Sequence, residues 1–107
     1  MGEKEAYDQP GQNNGSADPE YVLRLFITGV SPNSTRALTN IKEICESHLQ
    51  GRYSLEVIDV YQQADMAEQE QLVALPLLVR KKPLPEKRMI GDLSDTNKVL
   101  KGLGLIP

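Results

Sequence analysis

The sequence predicts a small α/β fold in which one central, mixed four-stranded sheet is flanked by helices, with elements in the order βαβαββα. Three observations carry this. A nearly unbroken run of β-formers, Tyr21-Val-Leu-Arg-Leu-Phe-Ile27, reads as a strand covered on both faces, interrupted only by Arg24. A helix-periodic stretch and a second β-forming run follow it closely, which makes a βαβ unit with parallel strands and a right-handed crossover. In the second half, two short apolar runs flank a basic, proline-rich connection, the pattern of an antiparallel hairpin. With 107 residues the chain has room for one core and one domain.

Taken in order, residues 1–19 are Gly, Asn, Gln, Ser, Pro and acidic residues with little to bury, so they predict a disordered leader ahead of a folded domain over residues 20–107. After the first strand, Thr28-Gly-Val-Ser-Pro-Asn-Ser34 is turn chemistry, and it offers Asn33 or Ser34 as the N-cap of the first helix. Leu38, Ile41, Ile44, Cys45, His48 and Leu49 recur at three- and four-residue steps along that helix, and Gly51 is placed as its left-handed stop. Tyr53 to Val60 forms the second strand. Asp65-Met-Ala-Glu68 has the spacing of a capping box for a second helix reaching about Val73, and Leu75-Pro76 closes that region. Leu77 to Arg80 and Arg88 to Ile90 are the hairpin strands, joined through Pro83 and Pro85. Ser94 or Asp95 caps a last helix with Val99, Leu100 and Leu103 on its apolar face and Gly102 and Gly104 as terminators. This order matches the thioredoxin-like architecture.

Composition excludes several classes. A net charge of −3 gives no reason for general nucleic-acid affinity, and no apolar run is long enough to span a membrane. The N-terminus lacks the basic and apolar regions of a secretory signal, so the expected compartment is the cytoplasm. Cys45 is the only cysteine, which removes an intramolecular disulfide, a Cys-x-x-Cys redox pair and a cysteine-rich zinc site.

The loop before the first helix, where a thioredoxin-like oxidoreductase places its reactive thiols, holds Ser31-Pro-Asn-Ser34 and has no neighbouring base, so helix capping is its plainer role. Cys45 and His48, three apart on one helix, read as a small buried thiol beside a boundary histidine. Pro76 opens the third strand, with cis and trans isomers equally open. Arg80, Lys81, Lys82, Lys87 and Arg88 crowd the hairpin as a patch for an acidic partner or, more plainly, as a solvated loop. Asp92 and Asp95 lack the further oxygen ligands a hard metal needs, and helix capping accounts for Asp95. Tyr61 and the stretch from Gln62 to Glu68 follow the C-terminal end of the second strand, the edge where open α/β sheets carry their binding sites. They are the leading partner-contact candidates.

Tyr21-Val-Leu-Arg-Leu-Phe-Ile27, Ser31-Pro-Asn-Ser-Thr-Arg-Ala-Leu38, Leu55-Glu-Val-Ile-Asp-Val60, Leu75-Pro76 and above all Pro83-Leu-Pro-Glu-Lys-Arg-Met-Ile-Gly-Asp-Leu-Ser-Asp95 together resemble the KaiB family of circadian-clock proteins, over about residues 20–105. The resemblance implies a non-catalytic regulator without cofactors that binds the KaiC ATPase ring, captures KaiA and favours KaiC dephosphorylation. It also implies fold switching between a βαββααβ ground state, in which a tetramer forms, and a monomeric thioredoxin-like state that binds KaiC. The first βαβ is common to both states and the second half rearranges, which fits its weaker local signals; two packings of one sequence are both populated when they differ by only about a few kcal/mol. Pro76, Pro83, Pro85, Gly102 and Gly104 are the fold-switch candidates in that half.

Carried onto this chain, the KaiC-facing positions are Tyr61, Gln62, Gln63, Asp65, Met66, Glu68, Gln69 and Val73, and Arg36 is the KaiA-side contact. Gln62 and Gln63 replace a stretch that is commonly basic in the family, which implies weaker attraction to an acidic KaiC surface. Gly104 replaces an aspartate of the common pattern, and the sequence stops at Pro107 without an acidic tail or a kinase segment. The expectation is a free-standing regulator dominated by the thioredoxin-like state. The alternatives are the sensory domain of a SasA-type pathway and, against the cysteine count, a thiol oxidoreductase.

Overall fold

The computed structural model describes residues 19–71 and 74–107. Four strands, β1 (Tyr21–Ile27), β2 (Tyr53–Asp59), β3 (Leu77–Lys82) and β4 (Lys87–Ile90), form one sheet in the order β2-β1-β3-β4. β1 pairs with β2 in parallel and with β3 antiparallel, and β3 pairs with β4 antiparallel. Three helices, α1 (Pro32–His48), α2 (Ala64–Glu70) and α3 (Thr96–Leu103), complete the predicted βαβαββα order.

The two-residue period of the strands divides the apolar residues between the faces. Leu23 and Leu25 of β1 and Leu78 of β3 point to one face, where Ile41, Ile44 and Cys45 of α1 and Val99, Leu100 and Leu103 of α3 close the main core. Phe26, Ile58, Leu77 and Val79 point the other way and form a smaller cluster, against which Met66 of α2 packs. β1 therefore lies in the middle, apolar on both faces, as its unbroken run of β-formers predicts.

Several local expectations are corrected. The N-cap of α1 is Ser31, not Asn33 or Ser34: Pro32 takes the first helical position, where its missing N–H is no loss, and Ser31 Oγ accepts from the backbone N–H of Ser34 at 3.2 Å. Ser34 turns inward, is buried, and its hydroxyl accepts from the Thr28 N–H at 3.2 Å, tying the end of β1 to the helix. α1 ends with Leu49 as C-cap, so Gly51, at φ +77°, serves the following turn and not the cap itself. His48 is exposed at the end of the helix, off the buried stripe. Asp65 is not an N-cap: Gln63 holds that position without a side-chain cap bond, and Asp65 falls inside the first turn, where its charge favours the helix dipole. α2 closes at Gln71 in the left-handed region, and Val73 lies outside the described residues.

At the other end of the chain Asp95 caps α3 by accepting from Lys98 N–H at 3.1 Å, and Gly104 ends it at φ +79°, as expected. Gly102 does not terminate the helix; it lies within it, and a side chain there would collide with the Met89 thioether of β4. Its function is close approach. The peptide bonds before Pro76, Pro83 and Pro85 are cis.

Candidate functional site

Parallel pairing carries β1 and β2 to the same end of the sheet, and Val60 N–H donates to Ile27 O at 3.0 Å to hold the two ends together. Asp59 then turns the chain. Its carbonyl accepts from Gln62 and Gln63 N–H at 3.0 and 2.9 Å, and its carboxylate accepts from Tyr61 N–H at 2.9 Å. The turn projects the Tyr61 ring outward, leaving that residue 80% exposed. Gln62, Gln63, Ala64, Asp65 and Met66 line an open concavity of about 430 Å³ at the start of α2. Asp65, Glu68 and Gln69 are exposed, whereas Met66 is half-buried against the smaller core cluster.

The structure thus gathers Tyr61, Gln62, Gln63, Asp65, Met66, Glu68 and Gln69 into one continuous surface. Arg36 is not part of it. Its guanidinium on α1 donates to Asn33 Oδ1 at 2.7 Å and lies 3.5 Å from Asp92 Oδ2. Asn40 donates to the Asp92 carbonyl at 2.9 Å, so α1 fastens the loop that follows β4. Hydrogen bonds from Ser94, and then the charge of Arg36, hold the Asp92 carboxyl below its ordinary range. Beside this loop, between the end of β4 and Lys98 and Val99 of α3, is a cavity of about 400 Å³.

The basic hairpin patch is corrected. Arg80 is only 5% exposed, on the α3 side of the sheet, where it donates to the Gly102 carbonyl at 2.9 Å and the Pro85 carbonyl at 2.5 Å. Lys81 is paired with Glu70 and, at 2.9 Å, with Glu86, and Arg88 is paired with Glu70 at 3.1 Å. Lys82 and Lys87 are solvated, and Arg88, though paired, is still exposed over about a third of its side chain, 36%. Sequence reasoning missed both this inward use of cations and Val30, which stands 93% exposed in the β1–α1 loop at the same end of the sheet as Tyr61. The signal for Val30 is an apolar residue set between Gly29 and Ser31 in a turn with no other apolar residue.

At the start of α1, Ser31 and Ser34 are spent on capping and on the end of β1. Cys45 is fully buried, and burial pushes its thiol up to about 12, the reverse of an activated thiolate. Of the proposed fold-switch positions, Pro76 is buried at the start of β3, where its carbonyl accepts from Gly91 N–H at 3.0 Å. No helix among the described residues is long and apolar enough to cross a membrane.

Comparison with solved structures finds the same architecture in the N-terminal domain of Synechococcus elongatus SasA, with a TM-score of 0.65 and 25% identity over 92% of this chain and 96% of that one. Mitochondrial thioredoxin 3 of Saccharomyces cerevisiae aligns with a TM-score of 0.67 at 15% identity, over 82% of this chain and 80% of that one, and shares the fold alone. Among curated proteins, the circadian clock oscillator protein KaiB of Prochlorococcus marinus is 47% identical over 91 residues, which is 85% of this chain and 84% of the relative. That of Synechococcus elongatus is 49% identical over 86 residues, which is 80% of this chain and 84% of the relative. The model of the KaiB domain matches residues 24–105, and with these identities across most of both partners the chain belongs to the KaiB family.

Proposed function

We propose that the protein is a non-catalytic regulator that binds the KaiC ATPase ring in its thioredoxin-like state and captures KaiA, favouring KaiC dephosphorylation. The observation that carries this reading is the exposed segment from Tyr61 to Gln69. An aromatic ring projects from a turn tied by Asp59 and is followed by a short helix on which Asp65, Glu68 and Gln69 are exposed. A rigid, exposed tyrosine of this kind is the residue type that dominates interface energies. Asp65, Met66, Glu68 and Gln69 continue the proposed KaiC face, and Arg36 belongs to the KaiA side.

The reading needs no cofactor and no thiol chemistry. The fold-switching positions, Pro76, Pro83, Pro85, Gly102 and Gly104, lie in the half of the chain that would rearrange, and the protein is read as a cytoplasmic monomer in this state and a tetramer in the other. The test is fluorescence anisotropy of labelled protein titrated with KaiC. Tyr61→Ala is expected to weaken binding roughly tenfold or more, and Lys42→Ala on the far side of α1 is expected to leave it unchanged. Equal affinities for both variants would refute the assignment.

The likeness to the SasA N-terminal domain favours a second reading, an interaction domain of a SasA-type pathway. Addition of KaiA separates the two: a ternary complex with KaiC supports the regulator, and KaiC binding that never recruits KaiA supports the SasA-type domain.

A further inference from the structure

Glu70, the last residue of α2, is the helix's buried residue at 7% exposure, although it is a carboxylate. It faces cations from three strands. Arg24 of β1 lies 3.9 Å away, Arg88 of β4 lies 3.1 Å away, and Lys81 of β3 is paired with it directly. Arg88 also donates to the backbone carbonyl of Glu70, at the end of the helix where a cation is favoured. Two exposed acids complete the network: Glu56 of β2 lies 3.2 Å from Arg24, and Glu86 lies 2.9 Å from Lys81.

The register explains the arrangement. Glu56, Arg24, Val79 and Arg88 are cross-strand partners in a single row that spans all four strands on the α2 face. The next row is Ile58, Phe26, Leu77 and Ile90, which is apolar. α2 has seven residues, far fewer than an isolated helix needs for stability, so docking must hold it. Met66 rests on the apolar row, while the C-terminal end of the helix meets Arg24 and Arg88 of the charged row through Glu70. Beyond that contact the backbone turns left-handed at Gln71, at φ 54°, and leaves the helix.

We propose that Glu70 is a positioning residue whose carboxylate clamps α2 onto the charged row of the sheet and so presents the surface from Tyr61 to Gln69. The consequence for binding rests on the reading of that surface given above; the clamp itself does not. Without the carboxylate, Arg24, Lys81 and Arg88 repel one another with two exposed acids between them among the described residues, they spread apart, and the end of the helix loses its ionic attachment to the sheet.

The experiment is Glu70→Gln, which keeps size and hydrogen-bonding capacity and removes the charge, followed by Cα chemical shifts. The helical shift offsets over Ala64–Glu70 are expected to fall below half their native size, with those of α1 and α3 unchanged. Unchanged offsets in α2, or a uniform loss in all three helices, would overturn the clamp. Adding Lys81→Gln to that variant is expected to restore part of the lost helicity by relieving the repulsion; further loss in the double variant would likewise overturn it. Should Glu70→Gln not fold, Arg88→Gln alone carries the test, with a smaller loss confined to α2 expected and no loss contradicting the clamp. A released α2 that still binds KaiC with native affinity would leave the clamp standing and overturn the placement of the KaiC face on α2.

Discussion

Met89 and Gly102 meet where β4 packs on α3, and the contact leaves no room for a Cβ at position 102. Ordinary helix propensity favours alanine over glycine by about 1 kcal/mol, so the two effects oppose each other. The colliding atoms belong to the end of a flexible side chain, so Gly102→Ala is expected to stay within about 1 kcal/mol of the parent in urea unfolding, and a loss of about 3 kcal/mol would show that the thioether is locked in place. Gly102 was legible as a helix-region glycine but not as a contact, because a stop and a close approach leave the same letter in a sequence.

Two further groups set the alkaline limit of the fold. Burial pushes the Cys45 thiol up from 9.0 to about 12, and donation to the Glu46 carboxylate, at 2.6 Å, together with partial burial, pushes the Tyr53 hydroxyl up from 10.0 to about 12. Each folded value lies above the unfolded one. The associated stability is therefore intact below about pH 9 and is lost as pH rises towards 12. Lys81, raised chiefly by its hydrogen bond to Glu70, adds to the same decline above its ordinary 10.5. The urea midpoint should hold from pH 7 to 9 and fall steadily above that window; a flat profile to pH 11 would contradict the burial of Cys45 and the pairing of Tyr53.

Among the elements, β1, α1, β2 and α3 were readable because one strong signal agreed with its neighbours in each: continuous β-formers, a clean apolar stripe, or a cap followed by a stop. The cap of α1 shows where such reading slips. Ser31, Asn33 and Ser34 are all good capping residues, and only the proline at the first helical position selects Ser31. Ser31→Ala is accordingly expected to cost about 1 kcal/mol, and Asn33→Ala, at an exposed position, to stay within about 0.5 kcal/mol. Reversed costs would reinstate Asn33 as the cap. α2 was the least legible helix, since its apolar stripe is thin and its anchoring is ionic. Glu70 reads as one more surface acid until the register places Arg24 and Arg88 in one row beneath it.

For the whole molecule, the two faces of the sheet are held by different means. α1 and α3 bury a broad apolar core against Leu23, Leu25 and Leu78, while α2 rests on four buried residues and a charged row. The candidate partner surface thus sits on the less apolar face, at the end of the sheet where β1 and β2 finish. The position of that surface was legible from strand order. The cations that support it were not, because long basic side chains read as solvated until the packing shows which of them turn inward.

Hydrogen exchange of the free protein and of its complex with KaiC, followed by mass spectrometry of short peptides, reads the binding surface and the resting fold in one experiment. Added protection on binding is expected to centre on residues 61–71, and the helix Thr96–Leu103 is expected to be protected both before and after KaiC is added. Unchanged exchange over residues 61–71 in a formed complex, or a free protein in which residues 96–103 gain protection only on binding, would contradict that expectation.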